Sequence, residues 1–182
     1  MVYVLFGEGF EEIEAVAPLK LLRRADIKVA AVSITRDLLV RGGHGLAIRT
    51  DITLEQVDFE ALEMLVLPGG GGGVASIEAS PAAMNLIRLT WEAHKLVAAI
   101  CAAPSLLAEL NVLNGKRIVC HPTVADKVEA AGGELQPGLK VVRDDNLITG
   151  MAAGASIEFG LELVAALRSR AVAEEMRCGI FY

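Results

Sequence analysis

Short, largely apolar runs alternate with longer segments of helical periodicity along this chain. Val2–Phe6 and Leu96–Ile100 are such runs, and Glu11–Ala25, which follows the first of them, carries apolar residues three or four positions apart. Runs of this length predict buried strands, and the spacing of the longer segments predicts amphipathic helices. Because alternating strands and helices form parallel sheets with right-handed crossovers, the pattern predicts a doubly wound α/β sandwich.

The whole chain, residues 1–182, is predicted to form one domain, since ordinary domains have roughly 100–200 residues. Hairpins are predicted at 37–51, at a sheet edge, and at 140–149. The predicted strands are Val2–Phe6, Lys28–Ile34, Leu62–Leu67, Leu96–Ile100 and Arg117–Cys120. The predicted helices are Glu11–Ala25, in which Pro18 can introduce a kink, a helix opened by Ser80-Pro81 that runs through His94, Ala102–Leu110, Pro122–Ala131 and Ser156–Ser169.

Composition excludes several classes of protein. Hydrophobic residues make up 53% of the chain and aromatic residues only 4%, as suits a parallel sheet covered by helices. The net charge of −6 argues against a nucleic-acid partner and against attraction to an anionic membrane. The longest uncharged run, Met64–Ile77, is interrupted by glycines, and the N-terminus lacks the basic region of a signal peptide. Three cysteines do not form a disulfide framework, so a cytoplasmic protein is predicted.

Cys101 occupies the point where a predicted strand becomes a predicted helix. A thiol there would lie beside unpaired backbone N–H groups, which stabilise a thiolate and lower its pKa. This position predicts a nucleophile. The alternative is a buried structural cysteine, because free cysteine is among the most buried residue types. Cys120 and Cys178 have no comparable position and are predicted to be structural.

Three further side chains are candidates for acid–base chemistry, each with a less specific alternative. Glu14 lies one turn into the first helix and would have a raised pKa if it faced a thiolate in a dry crevice, although most helical carboxylates are solvated. His121 ends a short strand and would suit a proton-transfer partner or a purely structural role. His44 follows two glycines in a loop near a potential pocket, whereas His94 is predicted to be solvated.

Within the glycine loop 69–73 and the two residues after it, the segment Gly70–Ala75 formally fits a dinucleotide-binding fingerprint. It does not follow the first strand, however, and no Gly-Lys-Ser/Thr follows it, so a tight strand-to-helix turn is favoured over a phosphate loop. The alternative is a backbone N–H donor aimed at an oxyanion beside Cys101. No metal site is predicted, because Cys120 and His121 would point to opposite faces of a strand and no Cys-x-x-Cys or His-x-x-x-His pair exists.

Five motifs in order make the chain resemble the ThiJ/PfpI superfamily, in the branch of the parkinsonism-associated protein deglycase. They extend from Val2 to about Leu167 and read GFEEIEAVAPLKLLRRA, LVLPGG, AAICAAPSLLA, HPTVADK and GASIEFGLELV. The resemblance implies a flavodoxin-like three-layer sandwich, a mostly parallel sheet and a homodimer. It assigns the nucleophile of a strained elbow to Cys101, the protonated carboxyl to Glu14 and the nearby imidazole to His121. It assigns the oxyanion-binding amides to Gly70 and Ala102.

The resemblance also implies an activity and shows where this chain departs from its relatives. It implies a cofactor-free enzyme that acts on a small-molecule carbonyl substrate, of glyoxalase or deglycase type. The alternatives are a redox-sensing or stress-protective protein and, less specifically, a flavin or nucleotide binder. Ala102 replaces the His of the protease-like branch, and His44 replaces an Arg that would face substrate. Met151 and Ala153 replace Arg and Pro.

Overall fold

The computed structural model describes all 182 residues, and strands and helices alternate along the chain. The strands are β1 Val2–Phe6, β2 Val29–Ser33, β3 Leu39–Arg41, β4 Ala47–Arg49, β5 Ile52–Thr53, β6 Met64–Leu67, β7 Leu96–Ile100, β8 Arg117–Ile118, β9 Glu134–Leu135, β10 Val141–Asp144 and β11 Leu147–Gly150. The helices are α1 Glu12–Arg24, α2 Gly71–Glu78, α3 Pro81–Glu92, α4 Pro104–Glu109, α5 Ala125–Ala130, α6 Ser156–Leu167 and α7 Arg170–Gly179.

Seven strands form the central sheet in the order β10-β11-β7-β6-β1-β2-β5. All neighbouring pairs are parallel except β10 and β11, which form the predicted C-terminal hairpin. One apolar cluster lies between the sheet and α1 and α6, and the other lies between the sheet and helices α2 to α5. The structure is therefore the predicted three-layer α/β sandwich with a mostly parallel sheet.

Strand β1 explains why the apolar runs are continuous and do not alternate with polar residues. Val2, Val4 and Phe6 belong to one apolar cluster, whereas Tyr3 and Leu5 belong to the other. Since side chains point alternately to the two faces of a strand and helices cover both faces, every position is buried. No helix is long and apolar enough to cross a membrane.

The hairpin predicted at 37–51 forms, but it is not an edge of the central sheet. Strands β3 and β4 pair with each other as a separate two-stranded sheet, and the edge position is taken by β5. The hairpin packs back on the start of α1 through a bridge between Phe10 and Gly42. The sequence pattern missed β5 because a two-residue strand has no measurable periodicity.

Several other boundaries differ from the prediction. Helix α2 begins at Gly71, inside the glycine run, where low helix propensity concealed it. Helix α4 begins at Pro104 and not at Ala102, and α7 was not predicted at all. The strand predicted at 117–120 pairs over only two residues, with the unpredicted β9. The helix predicted from Ser80-Pro81 is present, and the Ser80 hydroxyl accepts a hydrogen bond from the Ala83 N–H over 3.3 Å.

Candidate active site

The candidate residues meet at the carboxyl ends of neighbouring parallel strands. Strand β7 leads into Cys101, β6 leads into Gly69 and Gly70, and β1 leads into the segment that carries Glu14 on α1. These strands are adjacent in the sheet, so the loops that follow them share one edge. That edge is where doubly wound proteins place their ligand sites.

The backbone holds Cys101 in a strained conformation. Its φ is +65°, in the left-handed region that side chains rarely adopt. The Cys101 N–H donates to the Gly150 carbonyl over 2.9 Å, and the Cys101 carbonyl accepts from the His121 N–H over 2.8 Å. The neighbouring chain segments therefore stabilise an elbow that costs about 1–3 kcal/mol on its own.

The sulfur of Cys101 contacts one carboxyl group and two backbone amides. Burial raises the pKa of the Cys101 thiol to about 12, and the charge and hydrogen bond of Glu14 add to this increase. The N–H groups of Gly70 and Ala102 hydrogen-bond the sulfur and act in the opposite direction. The prediction of a lowered thiol pKa is therefore wrong while Glu14 is ionised, because burial and a nearby negative charge outweigh the two amides.

Glu14 is buried against this thiol, with 1% of its surface exposed. Its Oε2 accepts a hydrogen bond from the Gly69 N–H over 3.0 Å. Burial raises the pKa of Glu14 to about 7; the hydrogen bonds with Cys101 and Gly69 lower it, and the charge of Glu11 raises it. The solvated-carboxylate alternative is thus excluded, and the predicted raised pKa is found.

Cys101 and Glu14 titrate as a pair, because the charge on each opposes ionisation of the other. The raised pKa values of both groups mean that the pair keeps at least one proton at neutral pH. When that proton lies on Glu14, the sulfur is a thiolate that accepts hydrogen bonds from Gly70 and Ala102.

Glycine is required at both residues that lie against this pair. A Cβ on Gly69 would collide with Oε2 of Glu14 and lie 2.7 Å from the Cys101 Cβ. Gly70 has φ of +88°, and a Cβ there would lie 2.7 Å from the Gly9 carbonyl oxygen. The start of the glycine run is therefore a tight turn at which backbone approaches the site closely, and the Gly70 N–H lowers the pKa of the Cys101 thiol. Binding of an oxyanion by this N–H stays a prediction.

The rest of the glycine run packs against the loop after β1. A Cβ on Gly72 would lie 3.0 Å from the Gly9 Cα, and one on Gly73 would lie 2.7 Å from the Phe10 Cα. Such contacts explain these glycines by helix packing, with α2 lying close to the chain that precedes α1. A bound nucleotide is not needed to account for them.

His121 is tied to the elbow through its backbone and to Thr123 through its ring. Nδ1 of His121 lies 2.8 Å from the Thr123 hydroxyl and accepts from the Thr123 N–H over 3.3 Å. Because Nδ1 accepts, the neutral ring carries its proton on Nε2. Thr123 was missed by the sequence analysis, although it lies in the motif HPTVADK, two residues after the histidine.

His44 lies in the β3–β4 loop and is held by two carboxylates. Its Nδ1 lies 3.1 Å from Oε2 of Glu12 and 3.4 Å from Oε2 of Glu11, and its side chain is 75% exposed. The His44 N–H also donates to Oε1 of Glu12 over 2.8 Å. The hydrogen bond to Glu12 and then the charge of Glu11 raise the pKa of His44. Its charge is therefore paired with carboxylates of the protein, and the predicted contact of His44 with substrate stays a prediction.

The same three residues could hold a divalent cation. Ligand atoms of Glu11, Glu12 and His44 all lie within 4.8 Å of one another. Nitrogen and carboxylate oxygens are zinc ligands. Short spacings of Cys and His in the sequence do not reveal this group, because 32 residues separate His44 from Glu12.

The remaining cysteines differ from each other. Cys120 is buried, with 7% exposed, and burial, then the charge of Glu129, raises its pKa to about 11. It fits the structural role predicted for it. Cys178 is exposed on α7, so the same prediction is wrong for that residue. The residue that α7 buries is Ala173 and not Cys178.

The fold and the site together define the class of protein, which is an α/β sandwich with a cysteine on a strand-to-helix elbow. A profile of the DJ-1/PfpI family matches residues 1–166. The chain belongs to the DJ-1/PfpI family and, within it, to the DJ-1 branch.

Named relatives support this assignment along most of the chain. Protein dj-1beta of Drosophila melanogaster is 32% identical over 97% of this chain and 94% of its own length. Deglycase TK1284 of Thermococcus kodakarensis is 30% identical over 92% of this chain and 99% of its own length. DJ-1 homolog A of Arabidopsis thaliana is 34% identical over 90% of this chain, but the match spans only 41% of that longer protein.

Solved structures agree with the fold. Drosophila melanogaster DJ-1beta superposes with a TM-score of 0.93 at 31% identity, over 99% of this chain and 96% of that one. An oxidized DJ-1 of Toxoplasma gondii superposes with a TM-score of 0.92 at 28% identity, over 100% and 97% of the two chains.

Proposed function

We propose that this protein is a cofactor-free, cysteine-dependent enzyme that acts on small reactive carbonyls, of glyoxalase or deglycase type. The observation that carries the proposal is the juxtaposition of the Cys101 thiol, on an elbow with φ of +65°, and the buried carboxyl of Glu14, which raises the pKa of that thiol. The relative named a deglycase supports the same class of reaction. A 2-oxoaldehyde such as methylglyoxal is the expected substrate.

The first step uses the sulfur as nucleophile. With the shared proton on Glu14, the Cys101 thiolate attacks the aldehyde carbon, a carbon–sulfur bond forms and the carbonyl π electrons move to oxygen. In this step the Gly70 and Ala102 N–H groups bind the oxygen as charge develops; their effect in lowering the pKa of the Cys101 thiol supports this role. Glu14 then gives its proton to the oxygen and becomes a carboxylate.

The second step moves hydrogen between the two carbons. The Glu14 carboxylate removes the proton from the former aldehyde carbon, and the electron pair passes through an enediol to the neighbouring ketone. Return of the proton to the former ketone carbon gives a 2-hydroxy thioester. The former aldehyde carbon is thereby oxidised and the former ketone carbon reduced. Water cleaves the thioester, assisted by His121, and a 2-hydroxy acid leaves. Each positioned proton transfer contributes about 10²–10⁴ in rate.

The direct test is lactate formation from methylglyoxal by three proteins. Wild type is expected to form lactate, Cys101→Ala to form none above background, and Glu14→Gln to be at least ~100-fold slower. Cys178→Ala, which removes an exposed thiol distant in sequence from the elbow, serves as the matched control and is expected to retain full activity. Lactate formation that survives Cys101→Ala would refute the proposal.

A second candidate function is redox sensing through the same thiol. The structure neighbour from Toxoplasma gondii is described as oxidized, and Glu14 can donate a hydrogen bond to an oxidised sulfur when protonated. A sensor would take up oxygen from peroxide at Cys101 and consume no dicarbonyl. A protein that makes lactate at a substantial rate is an enzyme, whatever its response to peroxide.

We also propose a homodimer in the cytoplasm. All three cysteines are free, as in a reducing compartment. Apolar side chains are exposed on and near the first helix, including Ile13 at 56%, Val16 at 38% and Leu46 at 61%. Light scattering after gel filtration is expected to give twice the chain mass for wild type and a lower mass for Ile13→Lys. A monomeric wild type would exclude the dimer.

A further inference from the structure

An apolar cavity of about 180 Å³ takes no part in the steps described so far, although one of its walls is attached to the elbow. Cys120 and Pro122 line this cavity, and the residue between them in the chain is His121. The His121 N–H donates to the Cys101 carbonyl over 2.8 Å. The wall therefore begins one residue away from a hydrogen-bond partner of the elbow.

A second wall is attached to the elbow in the same way. Met151 lines the cavity and directly follows Gly150, whose carbonyl accepts from the Cys101 N–H over 2.9 Å. The Met151 N–H in turn donates to the Lys140 carbonyl over 2.9 Å, which joins this wall to the segment that contains Leu139. Two segments that hold the backbone of Cys101 thus also enclose the cavity.

The lining of the cavity selects for an apolar occupant. No charged side chain lines it, and the Gln136 amide and the Cys120 thiol are the only polar side chains that do. A phosphate, carboxylate or sugar would leave its polar groups unpaired there, which is costly. An apolar cavity of about 150 Å³ holds one benzene molecule, so the volume here suits a chain or ring of about six carbon atoms.

The rim of the cavity is apolar and exposed to solvent. Leu139 is 50% exposed and Met151 is 39% exposed, and both line the cavity. An apolar chain that entered between them would remove part of both side chains from water, which is favourable. The rim therefore favours the same kind of occupant as the interior.

We propose that this cavity binds the apolar chain of the carbonyl substrate, so that the enzyme prefers 2-oxoaldehydes with a chain of about six carbon atoms over methylglyoxal. The proposal rests on the proposed function and names the substrate class of that site. The reacting aldehyde stays at Cys101, and the cavity holds only the group attached to the ketone carbon. Methylglyoxal, with a single methyl group there, would leave the cavity unused.

The kinetic test compares methylglyoxal with 2-oxooctanal, which carries a hexyl chain. Ala125 lines the cavity from the start of α5, so Ala125→Leu fills part of the space. Leu139→Gln makes the exposed rim polar without filling the cavity and guards against misfolding of the first variant. Ala82→Leu is the matched control, because Ala82 lines a separate apolar cavity of about 220 Å³ whose lining residues are not chain neighbours of Cys101, His121 or Gly150.

The wild type is expected to have a KM for 2-oxooctanal at least ~10-fold below its KM for methylglyoxal, since each buried methylene contributes about fourfold to binding. Ala125→Leu should raise the KM for 2-oxooctanal by ~10-fold, and Leu139→Gln should raise it by a few-fold. Both variants should keep the wild-type kcat/KM for methylglyoxal within about twofold. Ala82→Leu should leave both substrates unaffected.

A binding measurement follows the cavity without turnover. The probe is 2-octanone, which has the hexyl chain and the ketone but no aldehyde, and acetone is its short counterpart. Carbon NMR of labelled methionine methyl groups should show 2-octanone shifting the Met151 signal in wild type and in Cys101→Ala. Acetone should not shift this signal, Ala125→Leu should abolish the shift, and the fully buried Met64 is the internal reference.

Two results would overturn the proposal. The first is an unchanged KM for 2-oxooctanal in Ala125→Leu and Leu139→Gln together with no shift of the Met151 signal. The second is a Met151 signal that changes with protein concentration and not with 2-octanone, since the cavity would then hold a side chain of a second copy.

Failure of the proposal can be distinguished from failure of the proposed function. A protein that turns over neither aldehyde but shows the Met151 shift with 2-octanone has the apolar site without the enzymatic activity. A protein that forms lactate and shows neither the KM effect nor the shift is a glyoxalase that does not use the cavity.

Discussion

The carboxylate of Glu14 accepts a hydrogen bond from the Gly69 N–H over 3.0 Å while only 1% of the residue is exposed. The hydrogen bonds with Gly69 and Cys101 do not replace the water that this carboxylate loses, so burial raises the pKa of Glu14 from 4.5 to about 7. Folding therefore favours the protonated form. The contribution of protonated Glu14 to the free energy of unfolding is complete below pH 4.5 and is lost as pH rises through 7.

Glu14→Gln should remove this pH dependence. The difference between 4.5 and about 7, at about 1.4 kcal/mol per pH unit, amounts to about 3 kcal/mol. We expect the free energy of unfolding of the variant, relative to wild type, to rise by up to that amount between pH 4.5 and pH 7.5. Urea unfolding at several pH values measures it. A constant difference across that range would mean that Glu14 is ionised in the native protein throughout.

Two adjacent glycines of the run, Gly70 and Gly71, should respond oppositely to alanine. Gly70→Ala introduces a Cβ 2.7 Å from the Gly9 carbonyl oxygen at a φ of +88°, and should destabilise the protein by at least ~1–3 kcal/mol. Gly71→Ala, one residue later at the start of α2, meets nothing within 4 Å. It should be neutral or stabilise by up to ~1 kcal/mol. Urea unfolding of both variants is the measurement, and equal stabilities would contradict the packing described here.

The strain at the elbow predicts an unusual ranking of two thiol-free variants. Cys101 has φ of +65°, where glycine is favoured over alanine by about 1 kcal/mol. Cys101→Gly should therefore be more stable to urea than Cys101→Ala, although glycine normally destabilises a folded chain. An alanine variant of equal or greater stability would show that the backbone relaxes away from this conformation.

The central architecture could be predicted from sequence because its signal is local and repeated. Strand β1 was predicted with its bounds, and β7 likewise, since burial on both faces makes such strands continuously apolar. Helix α2 could not be predicted, because its first turn consists of glycines, of which Gly72 and Gly73 pack closely against Gly9 and Phe10.

Several residues of the site could be predicted from the sequence, whereas the direction of the thiol pKa and the ion pairs could not. Cys101, Glu14 and the Gly70 amide converge at the carboxyl ends of adjacent parallel strands, where a doubly wound fold places its sites. The direction of the thiol pKa was wrong, because a helix-terminus argument contains no measure of burial or of the Glu14 charge. The ion pair of His44 with Glu11 and Glu12 was missed, since contacts across 32 residues depend on how a loop folds back.

The ring of His121 should depend on Thr123 for its orientation. The Thr123 hydroxyl lies 2.8 Å from Nδ1 and helps keep the proton on Nε2. Thr123→Val retains the shape but loses one hydrogen bond of about 1 kcal/mol, so lactate formation should slow by about fivefold. Thr123→Ser, which retains the hydroxyl, should stay close to wild type. An unchanged kcat in the Val variant would show that the orientation of the His121 ring by Thr123 does not affect the reaction.

Peroxide should oxidise the three cysteines unequally, with Cys101 ahead of Cys120. The thiolate sulfur attacks one oxygen of hydrogen peroxide, the O–O bond breaks and hydroxide leaves; a second peroxide converts the sulfenic acid to a sulfinic acid, a gain of about 32 Da. Cys101 forms a thiolate whenever the shared proton lies on Glu14, and its residue is partly exposed.

Cys120 lacks such a partner: burial raises its pKa to about 11, and only 7% of it is exposed. Peptide mass spectrometry after a peroxide titration at pH 7.5 should find the 32 Da gain on Cys101 while Cys120 remains a thiol. The exposed Cys178 shows whether exposure alone is sufficient for oxidation. If Cys178 gains oxygen before Cys101 does, the shared proton does not activate the elbow thiol, and redox sensing through Cys101 is excluded.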